Sequence, residues 1–457
     1  KVQSDSSDHC KLLPSFYSAA YFVDTFFVPD IRDDEEKYGD AFGNALVEWW
    51  DGYFGPHEPR DSRPLRKDVT AFVTDNVNYN IGAFKRHWRQ RFPEAQHVRC
   101  VAHVLNLVGA MFRDHPCLSV LREVMAKARS ILKGKRNIRR RRRLGQFLKA
   151  VLKKDVPNPP DWADTRWSGW YDCACWCGQS FQPFRQWLAK EAGSSDAPAT
   201  VTDFHTWLGE NAPLVLLQLV FVIENADEVF QLLEDIQVSV ASTFVPSKHP
   251  RRAKPIMHSV YNKLHGLHTK LQNLADSKCL GTATESQLTR KNHAGKSKYD
   301  VSKWRASFLD VVQGAATKLW KYVGKNMELA KQARILDPRL IGALSEDIGE
   351  YDLVFPPPLQ SEIVQSGQWR LYRESVAGNT SKFDILEWWE GMSLRLPLLY
   401  PHARRILAIP HTSCDVERSF SVWKRVRSDK QQSMKLGTHK AYVSFCFNGA
   451  VPAPQTV

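Results

Sequence analysis

The chain has 457 residues, of which 43% are hydrophobic, 25% charged and 11% aromatic; this is enough for two or three globular domains and excludes a disordered composition. Lys and Arg number 63 against 49 Asp and Glu, and the net charge of +14 suits a polyanionic partner, although a merely basic protein has the same balance. No apolar run reaches the ~18 residues of a membrane span, the start KVQSDSSDHC has neither a signal-peptide core nor an initiator Met, as in a fragment or processed product, and nine Cys fit reduced thiols better than a disulfide framework.

Residues 14–30 are aromatic and apolar and predict one or two strands. Residues 40–53 have helical spacing, with Phe42, Ala45, Leu46, Trp49 and Trp50 on one side. VTAFVTDN (69–76) reads as a short buried strand running into a turn, Asn80 to Arg91 as a helix, and HVRCVAHVLNLVGAMF as a strand followed by an apolar helix. Residues 133–143, KGKRNIRRRRR, hold eight Lys or Arg in eleven positions. DVPNPPDW is a connector, and Phe204 to about Lys331 is mainly helical. A second Pro cluster, FPPPLQ, precedes a final block from about Phe383, in which Ile406, Leu407 and Ile409 read as a strand-like apolar run.

Four segments carry candidate chemistry. In FVTDNVNYN, Asp75 ends a β-prone segment, where an acid at a sheet edge suits a metal site; taken alone, the segment favours an Asp that caps the next helix. In CVAHVLNLV, one helical turn brings Cys100 and His103 together. Cys173, Cys175 and Cys177 are spaced poorly for tetrahedral zinc, so the expectation for Cys100 and His103 is a structural role. In ADTRWSGWYD, Arg166 and Trp167 suit a grip on phosphate and an unpaired base, or a core Trp beside a solvated Arg. In IPHTSCDVERSFSVWKRVRSDK, Glu417 lies near the start of a predicted helix whose other residues include Arg418, Lys424 and Arg425. Arg139, Arg140, Arg141, Arg142 and Arg143 are expected on an exposed segment, as a DNA-phosphate contact or a nuclear-import signal.

Taken in order, these segments resemble the motifs of hAT-superfamily DNA transposases: T-D-N, C-x-x-H-x-L-N-L, R-W, L-D-P-R in ARILDPRL, and a C-terminal dimerisation segment in FDILEWWEGMSLRLPLLYPHARRILAIPHTSCDVERSFS. The resemblance implies an α/β fold: an RNase H-like mixed sheet flanked by helices and interrupted by a large all-helical insertion domain. Residues 1–180 would begin the catalytic core, 181–380 form the insertion, and 381–457 complete the core as the dimerisation region. It further implies cleavage and transfer of DNA strands by Asp5, Asp75 and Glu417 holding Mg²⁺ or Mn²⁺. The protein would act on transposon ends in the nucleus, as a homodimer or higher oligomer with no membrane role. Asp8 is the alternative to Asp5, because the first motif is shortened. That shortening, and the missing BED-type zinc finger, imply a fragment or decayed copy. The alternative function is a domesticated DNA-binding and dimerisation protein without catalysis.

Overall fold

The computed structural model describes residues 40, 43–44, 46–48, 69–134, 137–154, 168–239, 256–290, 299–376 and 383–413. The chain divides into two compact units. The first gathers residues 1–104, 235–263 and 323–457; the second gathers 105–234 and 264–322.

The first unit holds a strand pair. β1 (Ala71–Thr74) runs parallel to β2 (Gln96–Arg99), with Ala71 opposite Gln96 and Thr74 opposite Arg99. Parallel strands need a crossover between them. It is supplied by α1 (Asn78–Ala83), which continues as Phe84–Trp88 and Arg89–Arg91. The apolar residues of this crossover, Ala83, Phe84, Trp88 and Phe92, close over the strands with Val47, Ala95 and Phe72. Phe72 lies 4.8 Å from the Trp88 ring and 5.2 Å from Phe92. Both strands remain half-buried, where the apolar run Val69–Val73 predicted full burial.

The expected RNase H-like mixed sheet is not what the chain forms: among the described residues the sheet has two strands, both parallel, and everything else regular is helical. The strands predicted within 14–30 lie outside the described residues. The strand-like run at Ile406 to Ile409 is also corrected. Its residues through Leu407 end helix α14, Leu399–Leu407. Buried Leu399, Ala403, Ile406 and Leu407 recur at the helical period while Arg404 and Arg405 are only half-buried, so a strand reading takes too short a window.

The second unit is built of helices: the later part of α2 (Val101–Asp114), α3 (Ser119–Leu132), α4 (Ile138–Leu152), α5 (Gly169–Ala192), most of α6 (Ala199–Ser239), most of α7 (Met257–Ser277), α8 (Thr282–Thr289) and most of α9 (Val301–Asn326). Phe221 of α6 stacks on Phe308 at 4.0 Å, and Phe230 stacks on Tyr171 at 4.4 Å. Among the described residues α6 is the one helix long and apolar enough to cross a membrane, with mean hydropathy 1.5 over its best window. Yet Leu217, Leu219, Phe221, Val222, Ala226 and Val229 are wholly buried, and buried Gln218 accepts from Leu121 N and donates to Cys117 O. A core helix has this pattern of filled apolar contacts and satisfied polar groups.

In the first unit, the chain after α9 forms α10 (Glu328–Gln332), α11 (Pro357–Gln365), α12 (Gln368–Glu374), α13 (Ile385–Gly391) and α14. Asp384 caps α13 by accepting from Leu386 N and Glu387 N. Trp389 is wholly buried, and its indole N–H donates to Leu336 O at 2.9 Å.

Candidate functional site

The C-terminal end of β1 carries Thr74, Asp75 and Asn76. Backbone pairing holds this end to the next strand, where Cys100 N donates to Thr74 O at 2.7 Å. Asn76 donates from Nδ2 to Cys100 O at 3.4 Å. Thr74 Oγ1 donates to Asp75 O and receives His97 Nε2, each at 2.9 Å. His97 can therefore stay neutral, and burial, helped by Arg99 and Lys85, lowers its pKa to about 4. The Phe84 ring stacks on it at 4.8 Å.

Asp75 is half-buried. Its Oδ1 accepts a hydrogen bond from Asn80 Nδ2, one turn into α1. The residue expected as a helix cap thus makes no side-chain cap of α1; the Asn80 carboxamide orients its carboxylate instead. The oxygens of Asn76 and Asn80 are buried and meet no donor among the described residues.

Cys100 starts α2 as a wholly buried thiol. Its Sγ accepts from His103 N at 3.4 Å and from Ser413 N at 3.3 Å, and lies 3.6 Å from Thr412 Oγ1. The sulfur therefore satisfies backbone N–H groups at a helix start, as an N-cap does. Val101 N donates to His411 O at 2.9 Å, so the segment I-P-H-T-S lies along the end of β2. Nearby, Arg405 reaches from α14 to Thr70 Oγ1 at 3.0 Å and to Glu94 at 3.5 Å. These contacts tie residues more than 300 positions apart. The expected return of the C-terminal block onto the early strands is what the first unit contains.

His411 is almost wholly buried, and burial lowers its pKa to about 3 against the opposing hydrogen bond to the Ile236 backbone. His258 is likewise buried and held near 4, chiefly by desolvation. In the L-D-P-R segment, Asp337 is buried and accepts from Arg339 N, Nε and Nη2 at 3.1, 2.8 and 2.6 Å. Burial pushes its carboxyl up, but the Arg339 hydrogen bonds prevail and hold it below its ordinary range. The Arg339 guanidinium lies 4.4 Å above the Phe383 ring.

The basic run falls on α4 in the second unit. Arg140 donates to Ile131 O and Asn137 Oδ1, and Arg143 makes a two-pronged pair with Glu191 at 2.7 and 2.6 Å. Arg139 and Arg142 are exposed and Arg141 half-exposed, and these three meet no carboxylate among the described residues. The uniform exposure expected for all five is therefore divided. Cys173 and Cys177 are buried on one side of α5, and half-buried Cys175 is on another. The Cys173 hydrogen bond and burial push the Cys177 thiol well up. No group of three or more His, Cys, Asp or Glu suited to a metal occurs among the described residues. Asp5, Asp8, Arg166, Trp167, Glu417, Arg418, Lys424 and Arg425 lie outside them.

Sequence reasoning did not single out Asn80, His97 or Arg405. The signal for Asn80 was a polar residue on the core side of a short crossover helix, five positions after the acid. Arg405 and His411 act through contacts distant in sequence, which no local pattern marks.

Residues 369–446 match the family model described as the hAT family C-terminal dimerisation region. No curated protein matches the chain.

Proposed function

We propose, starting from a chain that carries the hAT family C-terminal dimerisation region and so derives from an hAT-family transposase, that this protein acts on DNA in the nucleus as a dimer and cuts it at a site that includes Asp75. The observation that carries this reading is the seating of His411 to Ser413, inside the matched region, at the end of β2 beside β1, which Asp75 directly follows. Glu417 follows Ser413 by four positions in the chain. Asp5, Asp75 and Glu417 are the acids assigned to the reaction.

The donor set at Asp75 fits a hard divalent cation. Its carboxylate is held by the Asn80 carboxamide, whose buried carbonyl oxygen meets no donor among the described residues, nor does that of Asn76 in the next position, and oxygen ligands suit Mg²⁺ or Mn²⁺. A pair of such ions, when bound, stabilises the attacking and leaving oxygens of an in-line displacement at phosphorus. The chain's own part is positional: Asn80 holds the Asp75 carboxylate, and Thr74 and Asn76 pin the strand end to β2. Arg139, Arg141 and Arg142 on α4 supply outward positive charge for DNA phosphates.

The test is nicking of hairpin or transposon-end DNA by the full chain in Mn²⁺. Asp75→Asn and Glu417→Gln should each abolish nicking while leaving DNA retention intact. Retention without nicking by the unaltered chain would instead support a domesticated DNA-binding protein. Nicking that survives Asp75→Asn would remove Asp75 from the reaction.

A further inference from the structure

Asn80 is 6% exposed, so its carboxamide is nine-tenths buried. A buried carboxamide normally satisfies both ends, because an unmet acceptor carries the full desolvation penalty. Here Nδ2 donates to Asp75 Oδ1, whereas Oδ1 meets no donor among the described residues. The two atoms hang on one carbon, so the unmet oxygen lies beside the Asp75 carboxylate. Asn76 repeats the pattern one position after the acid: Nδ2 donates to Cys100 O, and its buried Oδ1 has no donor among the described residues. The unmet Asn80 oxygen beside the Asp75 carboxylate, and the unmet Asn76 oxygen one position along the chain, are acceptors without donors next to an acid.

We propose that Asn76 and Asn80 complete a divalent-cation cradle with Asp75: Asn80 fixes the carboxylate through its amide nitrogen, and both carbonyl oxygens face the cation. The chemistry favours this over a purely structural role. Each carboxamide places its donor on the protein and leaves its acceptor unmet, which is the orientation a hard cation requires. A buried donor group would have required the opposite orientation. This inference rests on the reading of Asp75 as a metal-binding acid, and goes beyond it in assigning two neutral ligands and a positioning residue.

The experiment measures Mn²⁺ binding to the full chain by the loss of the free-ion paramagnetic resonance signal. Backbone scission by Fe²⁺ with ascorbate and peroxide then locates the ion. The wild-type chain should be cut within residues 74–81, and Asp75→Asn should lose both signals. Asn80→Ala and Asn76→Ala should each weaken Mn²⁺ binding roughly ten- to a hundred-fold, the usual loss when a supporting group is removed from a metal site. Asn80→Asp keeps an oxygen at the ligand position and nearly the same volume, and replaces the amide donor by a second negative charge that a bound cation offsets. It should bind Mn²⁺ at least as tightly as wild type, and it carries the test alone where Asn80→Ala does not fold. Should Asp75→Asn abolish binding while both alanine variants bind like wild type, the cradle is overturned and the reading of Asp75 stands. Binding by Asn80→Asp as weak as that of Asp75→Asn also overturns the cradle. A wild-type chain that neither binds Mn²⁺ nor is cut near Asp75 overturns the metal reading and the cradle with it.

Discussion

Three histidines in the first unit are held neutral by their surroundings, with pKa values of about 4 for His97 and His258 and about 3 for His411. An unfolded histidine titrates near 6.5. Below that pH the unfolded chain takes up protons that the folded chain refuses, so stability rises with pH across this window. Their contribution is complete above about 6.5 and is lost as pH falls towards 4, at up to about 1.4 kcal/mol per pH unit for each histidine. Urea midpoints measured at pH 7 and pH 5 should therefore differ clearly, in a range where few carboxylates titrate; equal midpoints would contradict the burial assigned to these rings. Asp337 poses the opposite risk. Arg339→Ala strands a buried carboxylate, at a cost on the order of 2–3 kcal/mol, below that of a fully enclosed pair because Arg339 is partly exposed. Denaturant titration checks this, and a loss under about 0.5 kcal/mol, the scale of a surface pair, would count against it. Asp75 was legible in the sequence because an acid follows a β-prone run. Its orientation was not, because the cap reading and the strand-end reading share the same residues, and only the side-chain direction of Asn80 separates them.

On α4 the sequence showed charge but not its allocation. Glu191 of α5, 48 positions beyond Arg143, engages Arg143 directly and lies 3.8 Å from Arg140. Replacing Arg139, Arg141 and Arg142 by Gln should flatten the log–log salt dependence of DNA affinity, by up to about 2.7 in slope at about 0.9 per lost phosphate contact. Arg143→Gln should leave that slope unchanged, and equal effects from the two variants would contradict the division. In the matched region, Trp389 and Trp388 read alike in sequence but differ in place. Trp389 is sealed against Leu336 and Tyr372, and Trp388 is half-buried. Trp389→Ala should cost about 3–5 kcal/mol, the range for a large buried aromatic. Leu394, 94% exposed in the same region, contributes little to the folded chain alone. Leu394→Glu should weaken self-association in sedimentation while leaving the melting temperature nearly unchanged; unaltered association would place the interface elsewhere.

For the molecule as a whole, the strand–helix–strand order of residues 69–114 could be read from periodicity, and so could the helical character of much of 204–331. The extended mixed sheet could not: it was an expectation of resemblance, and among the described residues the chain supports two strands only. The return of the C-terminal block was also an expectation of resemblance, and there the atoms agree, through Val101 to His411, Cys100 to Ser413 and Arg405 to Glu94. Long-range closure of this kind has no local signature, because neither Cys100 nor Ser413 is unusual in its own segment. The central claim is that one C-terminal segment both completes the unit bearing Asp75 and joins two copies of the chain. Sedimentation velocity with parallel thermal melting, on the full chain and on a chain ending at Phe383, tests it most directly. The full chain should sediment as a dimer with a cooperative melt, and the shortened chain should lose both the dimer and the upper part of the melt. A shortened chain that remains a folded dimer would contradict the account.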